Sequence, residues 1–171
     1  MAKKKFYILA ELSKEGGRKI DNLVADLRLR GFAGTLPKSI PNHIQITTFP
    51  ANDAESVTAR INKAATENAK FEVEYKNVGI ADKTLFLIPS VNSALSRLHD
   101  SIALSDELNW FPQTPILTGD QSELIKAALA IIPLLSEMNA LSDAGKFKAV
   151  VESISIFEFN PAYLIERVKL L

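Results

Sequence analysis

Apolar and polar residues alternate from Lys5 to Leu12, which predicts a strand with Phe6, Ile8, Ala10 and Leu12 on one face. The period then changes. Ile20, Leu23, Val24 and Leu27 form an apolar helical stripe that Ser13 can cap and Gly31 stops. A loop from Phe32 to Pro41, with two prolines and a glycine, leads into His43-Ile44-Gln45-Ile46-Thr47-Thr48-Phe49, which alternates again. As a regular strand it would carry His43, Gln45 and Thr47 on one face and Ile44, Ile46 and Thr48 on the other.

Asn52 with Glu55 three residues later resembles a capping box and predicts a helix to about Ala69. Phe71, Val73 and Tyr75 alternate as a strand. Val78–Ile80, a turn at Ala81-Asp82-Lys83 and Leu85–Ile88 then predict a hairpin. Pro89-Ser90 opens a helix whose stripe is Leu95, Leu98 and Ile102, and Thr114–Thr118 is a short strand. Asp120 and Glu123 start a helix to about Leu141, which Pro133 is expected to kink or divide. Phe147–Phe159 reads as a long strand or bent pair and Leu164–Leu170 as the last strand. A strand–helix–strand unit recurs on each side of the middle, which hints at an internal structural duplication.

The chain of 171 residues, 47% of them hydrophobic, is expected to be a single domain over 1–171 with a sizeable core. Lys plus Arg and Asp plus Glu are 20 each, so net charge gives no long-range pull toward nucleic acid or membrane. The absence of cysteine excludes disulfides, thiolate chemistry and cysteine-ligated zinc, and fits a cytoplasmic protein. Met1–Lys5 is basic, but the apolar stretch after it is too short for a secretory signal. The longest apolar run, Ala127–Leu135, is well short of the roughly 20 residues a membrane span needs. It reads as a core helix, and any part left exposed could form a dimer surface.

Candidate chemistry centres on His43. An imidazole titrates near neutral pH, so one held among polar neighbours suits proton transfer or anion binding; the competing reading is an ordinary half-buried strand histidine. His99, beside Leu98, reads as a packed structural histidine, and Asp120 as a helix cap. Phe6 and Tyr7 point to opposite faces, so one can face a groove, although core packing is the simpler expectation. Gly16-Gly17 lacks the lysine and hydroxyl of a phosphate loop, and no cluster has metal-ligand spacing.

Taken in order, the opening strand, the Asn42-His43-Ile44-Gln45-Ile46 segment, the Phe71–Ile88 hairpin, Leu95–His99, Trp110–Thr118 and Val151–Phe159 resemble the two-histidine phosphoesterase superfamily. That superfamily includes the RNA 2′,5′-ligase-like cyclic phosphodiesterases. The resemblance implies an α/β (α+β) bilobal fold, with two pseudo-symmetric, mainly antiparallel sheets flanked by helices around a central groove. It also implies two motifs, each a histidine followed two residues later by a threonine or serine. The histidines act as general base and general acid, the hydroxyls hold phosphate oxygens, and no metal or other cofactor is needed.

Carried onto this chain, the resemblance makes His43 the catalytic histidine, with Gln45 in the hydroxyl position of the first motif. In Pro115-Ile116-Leu117-Thr118, Thr118 keeps the second hydroxyl and Ile116 stands where the second histidine belongs. Isoleucine has no titratable proton, so one proton-transfer role is lost, and a positioned acid or base contributes about 10²–10⁴ in rate. The implied protein acts weakly on, or binds, a nucleotide or RNA phosphodiester such as a 2′,3′-cyclic phosphate or 2′,5′ linkage, as a monomer or homodimer away from membranes. The alternatives are a non-catalytic nucleotide- or RNA-binding module and a protein-interaction domain on the same fold.

Overall fold

The computed structural model describes residues 4–34, 36, 39–104, 109–140 and 147–171. Strand β1 (Lys5–Leu12) leads into helix α1 (Lys14–Leu29), whose first turn is closed by the Ser13 Oγ accepting from the Gly16 N–H at 3.2 Å. Ile20, Leu23 and Leu27 are buried as the stripe requires, and Gly31 follows the helix with a positive φ of 95°. Strand β2 (His43–Pro50) and helix α2 (Ala54–Glu67) come next. The cap of α2 is Asp53 rather than Asn52, since the Asp53 carboxylate accepts from the Ser56 N–H. The helix ends two residues before Ala69, where Asn68 turns extended.

Strands β3 (Phe71–Ala81) and β4 (Thr84–Pro89) form the expected hairpin, with Asp82 at φ 51° in its turn. Helix α3 (Ser93–Ile102) starts later than Pro89-Ser90 suggests: Pro89 ends β4, and Asn92 caps the helix through the Leu95 N–H. Strand β5 (Thr114–Thr118) precedes helix α4 (Gln121–Ala140), where the Asp120 carboxylate accepts from the Glu123 N–H at 2.8 Å. Pro133 does not divide α4. The carbonyl that loses its partner belongs to Leu129, which is 66% exposed and can turn to water instead. The expected end at Leu141 lies outside the described residues. Along α4, Ala127, Ile131 and Leu135 are buried, whereas Ile125, Leu129 and Ile132 are exposed. Strands β6 (Lys148–Glu158) and β7 (Tyr163–Lys169) close the chain, β6 being a single strand. No helix among the described residues is long and apolar enough to cross a membrane.

The strands pair antiparallel in the order β2-β1-β6-β3-β4-β5, with β7 on β6. Strand β3 joins the two halves, pairing with β6 through Phe71–Glu74 and with β4 through Tyr75–Ala81. The outermost strands meet again across the ends of the sheet, where the Gln45 N–H donates to the Gln113 carbonyl at 3.2 Å. One face of the first half carries Ile8, Ala10, Ile44, Ile154 and Ile156, all fully buried in the main core. The other face carries Tyr7, Leu9 and Glu11 with their cross-strand partners.

Two bulges decide what faces where. On β2 the register passes from Thr47 opposite Ile8 to Gln45 opposite Leu9, leaving Ile46 as the extra residue. His43 and Gln45 therefore share the Leu9–Glu11 face as expected, but Thr47 does not. It stands opposite Ile8 on the core side, 4% exposed. On β5 the register passes from Leu117 opposite Leu85 to Pro115 opposite Phe86, and Ile116 is the extra residue.

Candidate functional site

The Leu9–Glu11 face, α1 and the loop before β2 enclose a cavity of about 510 Å³. That volume suits a small-molecule ligand. His43 and Gln45 enter it from β2, Ile116 from β5, Arg28 from α1 and Tyr7 from β1. The family resemblance puts His43, Gln45, Ile116 and Thr118 in one site, and the fold brings the first three to the same space. Thr118 is not among the residues that line it. That residue ends β5 beneath the incoming loop, where a Cβ on Gly34 would collide with the Thr118 carbonyl oxygen.

His43 is half-buried, and its Nδ1 lies 2.8 Å from the Pro41 carbonyl. A carbonyl only accepts, so Nδ1 carries the hydrogen and Nε2 is left as the acceptor of the neutral ring. Burial depresses the His43 pKa, opposed by the Pro41 hydrogen bond and the charge of Glu11. The ring is therefore held neutral, in the form a general base needs.

Directly across the β1–β2 pair from His43 stands Glu11, 5% exposed. Arg167 of β7 grips that carboxylate with both ends of its fork, Nε to Oε2 at 2.7 Å and Nη2 to Oε1 at 2.9 Å, and Ser153 Oγ adds a third donor. Sequence reasoning missed this cluster, because Arg167 and Glu11 are 156 residues apart and no spacing rule connects them. It also missed Asn42, whose amide donates to the Gly17 carbonyl and to Asp21 Oδ1 and so ties the His43 strand to α1.

The remaining walls differ in character. Tyr7 and Phe159 meet edge to face, ring centres 4.6 Å apart, and both line the cavity. Phe6 points into the core instead. Ile116 and Pro115 make an apolar wall where the second motif would bring an acid. Arg28 supplies a cation, and Asp21 accepts from Asn42. His99 lies outside the cavity, buried and stacked on Trp110 with ring centres 4.0 Å apart, the packed role expected of it. Among the described residues no group of three or more His, Asp or Glu comes together to hold a metal ion.

No family model and no curated protein sequence matches the chain. Solved structures do. The apo form of Escherichia coli LigT superposes with a TM-score of 0.61 at 14% identity over 99% of both chains. LigT in complex with 3′-AMP gives 0.61 at 12% identity over 98% of both. A structure described as a phosphoesterase gives 0.62 at 12% identity, again over 98% of both chains. At such low identity the likeness is one of fold and extends from end to end. It bears out the sequence resemblance at that level: the chain has the mixed α/β, antiparallel fold of LigT and its phosphoesterase neighbours.

Proposed function

We propose that this chain binds a nucleotide or the end of an RNA phosphodiester in the His43 cavity, and that it turns over a 2′,3′-cyclic phosphate or 2′,5′ linkage only slowly. The observation that carries this reading is the convergence of His43, Gln45 and Ile116 on one cavity in a fold shared with LigT, a protein solved in complex with 3′-AMP. The Gln45 amide and Arg28 would donate to phosphate oxygens. The Tyr7–Phe159 pair offers an aromatic surface to a base. Thr118 does not line the cavity, and Asn42, whose amide hydrogens go to Gly17 and Asp21, would accept a ligand hydroxyl through its oxygen.

In hydrolysis of a cyclic phosphate, His43 Nε2 would take a proton from water as its oxygen bonds to phosphorus and one ribose P–O bond breaks. The departing ribose oxygen must then be protonated. A second histidine would do this, but Ile116 cannot, so the proton comes from solvent. Losing one of two cooperating groups removes most of the acceleration, because such effects are far from additive.

Incubating the protein with 2′,3′-cyclic and 2′,5′-linked nucleotides tests the reaction. Slow turnover that disappears in His43→Ala is the expected result, and turnover indifferent to that substitution sinks the mechanism. The apolar wall of Ile116 and Pro115 favours a second reading, a binding module without chemistry. Saturable nucleotide binding with no product would select it.

A further inference from the structure

Both backbone groups of Gln45 point away from β1 and are held by the chain just before β5. Its N–H donates to the Gln113 carbonyl at 3.2 Å, and its carbonyl accepts from the Trp110 indole Nε1 at 3.1 Å. The indole cannot easily drift, since its face lies on the His99 ring at an interplanar angle of 15°. His99 is itself 7% exposed on α3, with Nδ1 3.1 Å from Asp100 Oδ1. The segment 110–113 runs directly into Pro115 and Ile116, which form the opposite wall of the cavity. No other backbone hydrogen bond among the described residues links β2 to the segment that leads into β5.

We propose that Trp110 is a positioning residue for the phosphoester site. It holds the Gln45 strand at a fixed separation from the Ile116 strand and so sets the aim of the Gln45 amide and the width of the cavity. The role rests on the functional reading above, because it concerns the same site. Trp110 touches no ligand in this scheme; it acts through the backbone of Gln45. Its place at an irregular point of β2 is physically apt. The Ile46 bulge breaks the ladder there, and an edge strand without regular pairing needs an outside anchor to keep one geometry.

Trp110→Phe keeps a ring on His99 and removes the donor, and His99→Ala removes the surface on which the indole rests. Two readouts separate the claims. Without ligand, hydrogen exchange at the Gln45 amide is expected to quicken about threefold to tenfold in either variant, the worth of one net hydrogen bond. Calorimetric affinity for 3′-AMP is expected to fall by a similar factor in Trp110→Phe, while the thermal midpoint stays close to that of the wild type. Unchanged exchange overturns the clamp, and faster exchange with unchanged affinity overturns its positioning role. Failure of the wild type to bind 3′-AMP counts instead against the functional reading, and the exchange comparison still decides the clamp.

Discussion

Glu11 and His43 face each other directly across β1 and β2, a buried carboxylate opposite a half-buried imidazole. The charged groups around the ring are Glu11, the Arg167 that holds it, and Asp21 and Arg28 of α1 in the same cavity. Burial outweighs Glu11, so the folded-state pKa lies below the ordinary 6.5. A depressed histidine pKa means that the unfolded chain takes up the proton first. Stability is therefore lost as pH falls from about 6.5 toward the lowered folded value. Denaturation midpoints between pH 7.5 and 5 should decline more steeply for the wild type than for His43→Phe. Parallel profiles would contradict the assignment.

Arg167→Ala should destabilise the fold more than Glu11→Gln does. The first leaves a carboxylate whose side chain is 6% exposed with Ser153 as its remaining side-chain donor among the described residues. The second leaves a guanidinium that is 41% exposed and able to reach water. Stranding a buried charge costs more than stranding one that water can solvate, so about 2–4 kcal/mol is expected for Arg167→Ala and about 1–2 for Glu11→Gln. Chemical denaturation of both variants checks the order, and a reversed order would mean that the carboxylate is solvated by another route.

Ile116→His should raise turnover of a 2′,3′-cyclic nucleotide by about 10²-fold or more, since it supplies the missing acid at the cavity wall. The substitution removes a side chain that is 2% exposed and belongs to the main core, so a loss of about 1–3 kcal/mol in stability should accompany the gain. Steady-state rates beside a melting curve read both. A folded variant no faster than wild type would mean that the bulge does not aim position 116 at the phosphate.

Gly34→Ala should weaken ligand binding without touching a ligand-facing group. A methyl at Gly34 has no room beside the Thr118 carbonyl, so the loop must lift from the end of β5. Further along, that loop contributes Leu36, Ile40 and Pro41 to the cavity. An affinity for 3′-AMP at least several-fold lower than that of the wild type is expected, and an unchanged affinity would separate the loop from the site.

The parts of this site that were legible in the sequence are those governed by local periodicity. Alternation around Ile44 places His43 and Gln45 on one face, and Thr114–Thr118 is a strand with the expected bounds. Local rules fail at Thr47 and in pairing Ile116 with Thr118, because a bulge is set by pairing with a distant strand and leaves no composition signal. They fail at α2 and α3 by a few residues, where two neighbouring candidates compete for the cap and only geometry chooses. The Glu11–Arg167 grip and the Trp110–Gln45 bond join residues 156 and 65 positions apart, contacts that exist only once the sheet has formed.

The proposed function requires an anion to meet His43 and Gln45 in the cavity. Isothermal calorimetry of 3′-AMP against the wild type and His43→Ala at pH 6 tests this most directly. Saturable binding by the wild type, weakened about tenfold or more in the variant, is the expected result, because a bound anion favours the protonated ring and lets Nε2 donate a charge-assisted hydrogen bond that alanine cannot replace. No binding by the wild type, or equal affinity in the two proteins, would contradict it.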